Sequence, residues 1–195
     1  NYFNLSVGYV SKISPLGEET RLWQTSVYHY FDGRIRNYGV YDLEAVAPGE
    51  FLFMHGHQIR RHPYNAVIAG TGEVGSIDGS SAVARFSSSA RFTRSNEGTI
   101  YVADTGNNNI RKVTSDGTVS TLAGLALEQA TGNLDGNGST ARFTQPSGSA
   151  VDTEGNVYIT DTAQHCIRKI TPDGTVTTLA GSPGHSGSSD GPNKD

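Results

Sequence analysis

The sequence predicts an all-β fold, a β-propeller of four-stranded antiparallel blades in which this chain forms part of the ring. First, residues 84–124 return as residues 141–181 at one fixed offset, as Arg85 and Arg142 show (142 − 85 = 57). Second, the runs that return are short and strand-like, and a long period built of strands is typical of propellers and solenoids. Third, 24 Gly and only 17% charged residues suit strands joined by tight turns better than helices.

Each well-preserved repeat has the same order of motifs. A Gly-rich loop with Asp-Gly precedes an Ala-Arg-Phe triplet, and four strand-like runs follow. In the last full repeat these runs are residues 148–152, 157–162, 166–171 and 175–180. Glu-Gly-Asn and Pro-Asp-Gly lie between them, and these are turn sequences because Pro fixes one dihedral angle while Gly and Asn tolerate positive φ. The four runs therefore predict an antiparallel meander.

Both faces of these predicted strands carry apolar side chains. Val157 and Ile159 point to one face, and Tyr158 and Thr160 point to the other. Since neither face is strongly polar, the sheet needs cover on both sides. Neighbouring blades supply that cover in a propeller.

The whole chain, residues 1–195, is predicted to be one propeller segment. Fragments of the pattern occur early, since Lys12-Ile13 followed by Pro15 resembles Lys169-Ile170 followed by Pro172. The chain starts without Met and stops inside a repeat, so we expect an arc of a ring that a longer chain or assembly completes. The predicted units are the end of a degenerate blade (1–24), a degenerate blade (25–70), two fuller blades (71–124 and 125–181) and the start of another repeat (182–195).

These motifs resemble the NHL repeat, a propeller family. The resemblance is strong over residues 77–181, which carry Asp-Gly, Ala-Arg-Phe, Asp-Thr, Ile-Arg-Lys and Gly-x-Val-x-Thr-Leu-Ala-Gly in order, and it is degenerate over residues 1–70. It implies a propeller whose closed ring commonly has six blades. It does not imply one function, because propellers of this family serve as protein-binding platforms, RNA readers and enzyme scaffolds.

Several charged residues recur once per blade and could form a ring of ligands. Residues that return in every repeat usually serve the repeat. We therefore interpret them as structural, with Asp accepting hydrogen bonds at a strand end and Arg fastening a blade to its neighbour. The residues are Arg85, Asp104, Arg111, Arg142, Asp161 and Arg168.

The histidines are weak candidates for a metal site. His55 and His57 are two apart, so on a strand they would share a face, as zinc ligands can. His62 lies further along, and no Cys or neighbouring carboxylate completes a set. Ordinary histidines at strand ends are the alternative, and no catalytic residue or cofactor is expected.

Other candidates also have a structural interpretation. Asp152 and Glu154 follow the predicted innermost strand, where carboxylates can serve propeller enzymes, but they fit a turn better. Cys166, the single cysteine, is expected to be a packed thiol rather than a nucleophile. Asn4-Leu5-Ser6 and Asn137-Gly138-Ser139 are candidate glycosylation sequons.

The predicted function is a non-catalytic protein-binding or assembly module in an extracellular or cell-surface setting. Its partner would be further blades of the same chain, another copy or an extracellular protein. A net charge of −4 with scattered basic residues disfavours a nucleic-acid-binding face, so RNA binding is the weaker alternative. The apolar runs are too short to insert into a membrane. The main alternative is a fragment of a metal-dependent propeller hydrolase or lyase.

Overall fold

The computed structural model describes only part of the chain. Side chains are described from Asp42 onward. The described residues are 2–6, 9–13, 19–24, 28–31, 34–37, 40–47, 50–87, 91–125 and 130–187. Over these ranges the protein forms antiparallel sheets, which confirms the all-β prediction and the four-stranded blades.

The N-terminal part of the described chain forms two small sheets. A three-stranded sheet contains β1 (Tyr2–Ser6), β2 (Tyr9–Ile13) and β3 (Glu19–Gln24). A separate hairpin contains β4 (Tyr28–Phe31) and β5 (Arg34–Asn37). Asn4 lies in β1, and its side chain is outside the described residues, as is most of the predicted start of another repeat.

Three larger sheets follow, each a meander. The first contains β6 (Val40–Ala47), β7 (Glu50–His55), β8 (Gln58–His62) and β9 (Ala66–Ala69). The second contains β10 (Arg91–Arg94), β11 (Ile100–Asp104), β12 (Asn109–Val113) and β13 (Val119–Ala123). The last contains β15 (Pro146–Val151), β16 (Val157–Asp161), β17 (Cys166–Ile170) and β18 (Thr175–Gly181), with β14 (Gly136–Asn137) added at the outer edge beside β18.

The Asp-Gly segments of the connections are part of these sheets. Gly79 exchanges two backbone hydrogen bonds with Val119 of β13, and Gly136 pairs with Val176 of β18. Each Asp-Gly segment therefore covers the outer edge of the sheet that follows it in the chain. An edge strand with free N–H and C=O groups would otherwise invite pairing with another chain.

The hydrophobic core lies between sheets rather than within one. Leu52, Met54 and Ile59 of the β6–β9 sheet pack against residues of the β10–β13 sheet and its preceding connection, including Phe86 and Val102. The equivalent core before the last sheet is a second cluster. Its buried members are Tyr101, Ala103, Ile110, Ala123, Ala141, Phe143, Val157, Ile159, Ile170 and Val176.

The first strands of the three larger sheets lie beside one another. Strand β10 contacts both β6 and β15. The sheets therefore spread outward from their first strands, which is the arrangement of propeller blades and places β6, β10 and β15 on the inner side.

Candidate functional site

Arg111 lies fully buried at the centre of a polar network in the β10–β13 sheet. Its Nη1 donates to Asp104 Oδ2 (3.0 Å) and to the Arg85 carbonyl (2.9 Å), and its Nη2 donates to Asp78 Oδ1 (2.6 Å) and to the Ile77 carbonyl (2.8 Å). Asp104 is also fully buried, and burial raises its pKa, while hydrogen bonds from the Asn107 side chain and the Ser87 N–H and the charge of Arg111 oppose this. The network holds the connection 75–86 against the sheet that follows it, whereas the sequence interpretation placed the contact between two blades.

Arg168 repeats this network in the last sheet. It donates to Asp161 Oδ2 (3.0 Å), to Asp135 Oδ1 (2.6 Å) and to the carbonyls of Arg142 and Leu134. Arg85 and Arg142 thus provide backbone carbonyls to the two networks. The six recurring charged residues all lie in, or directly beside, these contacts.

The histidines are distributed differently from the sequence expectation. His55 ends β7, but His57 lies in the turn before β8, so strand alternation does not place the two on one face. Burial lowers the pKa of His57, while a hydrogen bond to the Ser87 backbone opposes this. The His62 ring stacks on Phe51 with a centroid separation of 4.4 Å. Within the described residues, no group of three or more His, Cys, Asp or Glu side chains could hold a metal ion.

Asp152 and Glu154 lie in the turn between β15 and β16. Asp152 Oδ1 accepts from the backbone N–H groups of Glu154 and Asn156, and its Oδ2 accepts from Tyr158 Oη (3.0 Å). Hydrogen bonds, first from the Asn156 side chain, lower the pKa of Asp152. The Asp152 carboxylate therefore stabilises the turn.

Cys166 is almost fully buried at the start of β17. Burial, together with the charge of Asp161, raises the pKa of its thiol. Its neighbour His165 is outside the strand in a left-handed conformation (φ 57°) that ends a short 3₁₀ turn. Asn137 lies exposed in β14.

Two carboxyl groups that sequence analysis did not single out lie on β6. Asp42 Oδ2 accepts from the backbone N–H of Phe92 (2.7 Å), and Glu44 accepts from that of Arg94. Burial, with the charge of Asp42, raises the pKa of Glu44 to about 7, and burial also raises the pKa of Asp42. In the sequence, Asp42 and Glu44 are two acidic residues two positions apart. Their repeat is so degenerate that comparison with the other repeats does not draw attention to them.

One face of the last sheet, here called the open face, is defined by Tyr158, Thr160, Ile167, Leu179 and Ala180. Ile167 and Leu179 are 39% and 40% exposed. This face also borders a shallow cavity of about 350 Å³. Large contiguous apolar patches on a surface mark sites of protein or ligand binding.

The preceding sheet shows the same face when it is covered. Tyr101, Ala103 and Ile110 are the counterparts of Tyr158, Thr160 and Ile167, and all three are buried against the last sheet. The difference in exposure between Ile110 (0%) and Ile167 (39%) thus arises from the neighbour, not from the sequence of the strand.

Polar contacts accompany this covered face. Thr105 Oγ1 donates to the Pro146 carbonyl (2.7 Å), and Asn108 Oδ1 accepts from the Gln145 N–H (2.8 Å). The same positions of the last sheet hold Thr162 and His165. The Thr162 hydroxyl is hydrogen-bonded to the Ser147 hydroxyl (2.5 Å).

Comparison with known proteins places this architecture in a family. The model of the SMP-30/gluconolactonase/LRE-like region matches residues 25–188. The chain belongs to this family. Membership in the SMP-30/gluconolactonase/LRE-like family confirms the propeller expected from the repeats. No curated protein matches the chain.

Solved structures similar to this family member share its fold at low sequence identity. An auxiliary nutrient binding protein from Bacteroides thetaiotaomicron is 22% identical with a TM-score of 0.67, over 89% of this chain and 44% of that protein. A virginiamycin B lyase from Staphylococcus aureus is 16% identical with a TM-score of 0.52, over 91% of this chain and 54% of that protein. The chain thus spans about half the length of these proteins. No helix in the described parts of the chain is long and apolar enough to cross a membrane.

Proposed function

We propose that the protein is a non-catalytic binding and assembly module, part of a larger propeller or multimer. The observation that carries this proposal is the open face, on which Ile167 and Leu179 are exposed although their counterparts in the preceding sheet lie in or against a core. The similarity to an auxiliary nutrient binding protein supports a binding function. We further assign the repeats in residues 77–181 to the NHL type, on the motifs that they share with it.

The repeated charged residues support a structural role for the blades. Arg111 and Arg168 direct their guanidinium groups to carboxylates and carbonyls of their own repeats. Buried Arg groups with several charge-assisted bonds fix geometry rather than bind an external ligand. The protein surface is therefore where a partner would act.

We place the protein in an extracellular or cell-surface setting. The Ser-, Thr- and Gly-rich composition and the exposed Asn137 in its sequon support this setting. Mass spectrometry of native material is the test. A glycan on Asn137 is expected, whereas unmodified Asn4 and Asn137 would argue against the setting.

An enzyme of the hydrolase or lyase class is the second candidate, favoured by the family and by the Asp42–Glu44 pair. A carboxyl group with a pKa of about 7 could exchange protons near neutral pH. The described residues do not fit a divalent ion here, because both carboxylates accept backbone N–H groups, and the cations Arg91 and Arg94 oppose their raised pKa values.

Turnover of lactones by the purified protein separates the two candidates. Gluconolactone would be supplied with Mg²⁺, Ca²⁺, Mn²⁺ or Zn²⁺, and the binding-module proposal expects no rate above the uncatalysed reaction. Metal-dependent turnover that Glu44→Gln removes would instead establish the enzyme. Thr171→Ala, in the turn between β17 and β18 of the last sheet, serves as the control variant.

A further inference from the structure

A cavity of about 200 Å³, here called the inter-blade cavity, lies between the β6–β9 sheet and the β10–β13 sheet. Its apolar lining comes from Val46, Leu52 and Ile68 of the β6–β9 sheet and from Ile100 of the β10–β13 sheet. Leu52 and Ile100 are buried in the core between these sheets, and Val46 and Ile68 pack against that core. The floor of the cavity is therefore a part of the hydrophobic core that the two sheets leave accessible.

Arg94 brings a guanidinium group to this apolar floor. A Cβ placed at Gly98 would lie 3.1 Å from Arg94 Nη2, so the group lies over the backbone of the β10–β11 turn. Among the described residues, the guanidinium has no hydrogen-bond or ion-pair partner. The charge of Arg94 opposes the raised pKa of Glu44, but that carboxyl has a pKa of about 7 and accepts the backbone N–H of Arg94. A half-buried cation therefore lies beside apolar side chains without a full counter-charge.

The other charged groups of the inter-blade cavity leave Arg94 dominant. Arg61 donates to Glu50 through Nη2, and their charges offset each other. Burial raises the pKa of Tyr101, and the charge of Glu97 adds to this rise. Tyr101 lies on the face of β11 opposite Ile100, so the Glu97 charge acts across that strand from the floor of the cavity. A ligand on the floor would therefore meet mainly the positive charge of Arg94.

The last sheet shows that the repeat does not require this arginine. Val151 stands where Arg94 does (151 − 94 = 57), and each pairs with the equivalent residue of the next strand. Between the β10–β13 sheet and the last sheet, Val151 and Leu122 pack against the core, so apolar side chains fill that space. Residues that serve the repeat return in it. Arg94 departs from the repeat, which indicates a role of its own.

We propose that the inter-blade cavity binds a short aliphatic carboxylate, with its anionic group on Arg94 and its hydrocarbon on Val46, Leu52 and Ile68. A guanidinium can hold a carboxylate through two parallel N–H···O bonds. The apolar floor favours a hydrocarbon because its burial removes apolar surface from water. The cavity is smaller than the range of about 300–1,000 Å³ that is usual for drug-sized ligands, so the ligand has few carbon atoms. This binding goes beyond the proposed assembly function and does not depend on it.

Titration of ¹⁵N-labelled protein with sodium 4-methylpentanoate at pH 7, followed by amide chemical shifts, tests the proposal. Saturable changes with a Kd of about 1 mM are expected at Gly98, Thr114 and Ser115, which line the cavity. 4-Methylpentanamide lacks the charge and acetate lacks the hydrocarbon, so each should bind at least about tenfold more weakly. Shifts that do not saturate, or that leave these three amides unchanged, would overturn the proposal, as would equal binding of the amide or of acetate.

Two arginine variants locate the charge. Arg94→Gln should weaken the binding of 4-methylpentanoate about tenfold or more, because a charge-assisted pair is lost. Arg60→Gln is the matched control, since Arg60 precedes Arg61 on β8, points to the other face and bonds Gln58 and Asn65. Its affinity should stay within about twofold of the parent. Unchanged affinity in Arg94→Gln would refute the assignment.

A second substitution decides the outcome if Arg94→Gln does not fold. Ser115 is exposed in the turn between β12 and β13, so Ser115→Glu should leave the fold intact. The added carboxylate would repel an anionic ligand and should weaken binding about threefold or more. Unchanged or tighter binding of 4-methylpentanoate by Ser115→Glu would contradict an anion in the inter-blade cavity.

Discussion

Ile110 and Ile167 occupy the same place in two repeats, and truncating each to Ala measures what the neighbouring sheet contributes. Ile110 is fully buried, so Ile110→Ala removes packed atoms and leaves a cavity, which costs about 3 kcal/mol. Ile167 is 39% exposed and none of the described sheets covers it, so Ile167→Ala should cost about 1 kcal/mol. The difference of about 2 kcal/mol corresponds to roughly 4–8 °C in Tm for a protein of this size.

Urea unfolding followed by far-ultraviolet circular dichroism would measure both variants at low protein concentration. Thr114→Ala and Thr171→Ala provide a matched control, since each Thr bonds an Asp and a Thr carbonyl in the same turn of its repeat. These two should cost the same. Equal destabilisation by Ile110→Ala and Ile167→Ala, independent of concentration, would refute the assignment of an uncovered face.

Three further perturbations test the buried polar groups. Arg111→Met should lower the free energy of unfolding in urea by about 3–5 kcal/mol, because it leaves Asp104 buried without its cation. Arg142→Met removes only bonds to local carbonyls and should cost about 1 kcal/mol or less. Similar costs for the two variants would contradict the stabilising role of the Arg111 network. The pKa of Glu44 is raised from 4.5 to about 7 in the folded protein. The stabilisation of the fold by the protonated Glu44 carboxyl is therefore fully present below pH 4.5 and is lost as the pH rises through 7. Glu44→Gln should therefore raise the free energy of unfolding by about 1 kcal/mol at pH 8, allowing for solvent screening, and should leave it unchanged at pH 4. An equal increase in stability at both pH values would exclude titration of Glu44 as the cause. Finally, Ellman's reagent at pH 8 should label Cys166 at least about 100-fold more slowly in the folded protein than in urea, because the thiol is buried and its pKa is raised; rapid labelling of the native protein would show that the cysteine is reactive.

The strands of the last two sheets could be predicted because identical residue types return at identical spacing. Asp-Gly, Ile-Arg-Lys and the turn sequences each constrain the backbone locally, so the period reveals β11, β12 and β13 together with β16, β17 and β18. Strand β6 was not predicted. Its Asp42 and Glu44 are poor strand formers in isolation, and they are tolerated because backbone N–H groups of β10 bind them.

The candidate site could be predicted only in part. The recurring Arg and Asp residues are visible as a pattern, but which segment each Arg contacts depends on how the connection returns across the sheet. The shared strand face expected for His55 and His57 does not apply, because β7 ends at His55 and His57 lies in the turn that follows. An uncovered blade follows from the predicted arc of a ring, but the strand sequences do not show which residues are exposed, since Ile110 and Ile167 stand in nearly identical sequences.

The bonds of Asp78 and Asp135 bear on the order in which the protein can fold during synthesis. Each Asp precedes its sheet in the chain, yet its carboxylate receives the backbone N–H of a late residue, Thr121 or Thr178, in the last strand of that sheet. A growing chain therefore cannot complete these bonds until some forty further residues have been synthesised (121 − 78 = 43). Arg111 or Arg168 holds each connection first, and a chain stalled before Thr178 would leave the last sheet without the bonds between Asp135 and β18.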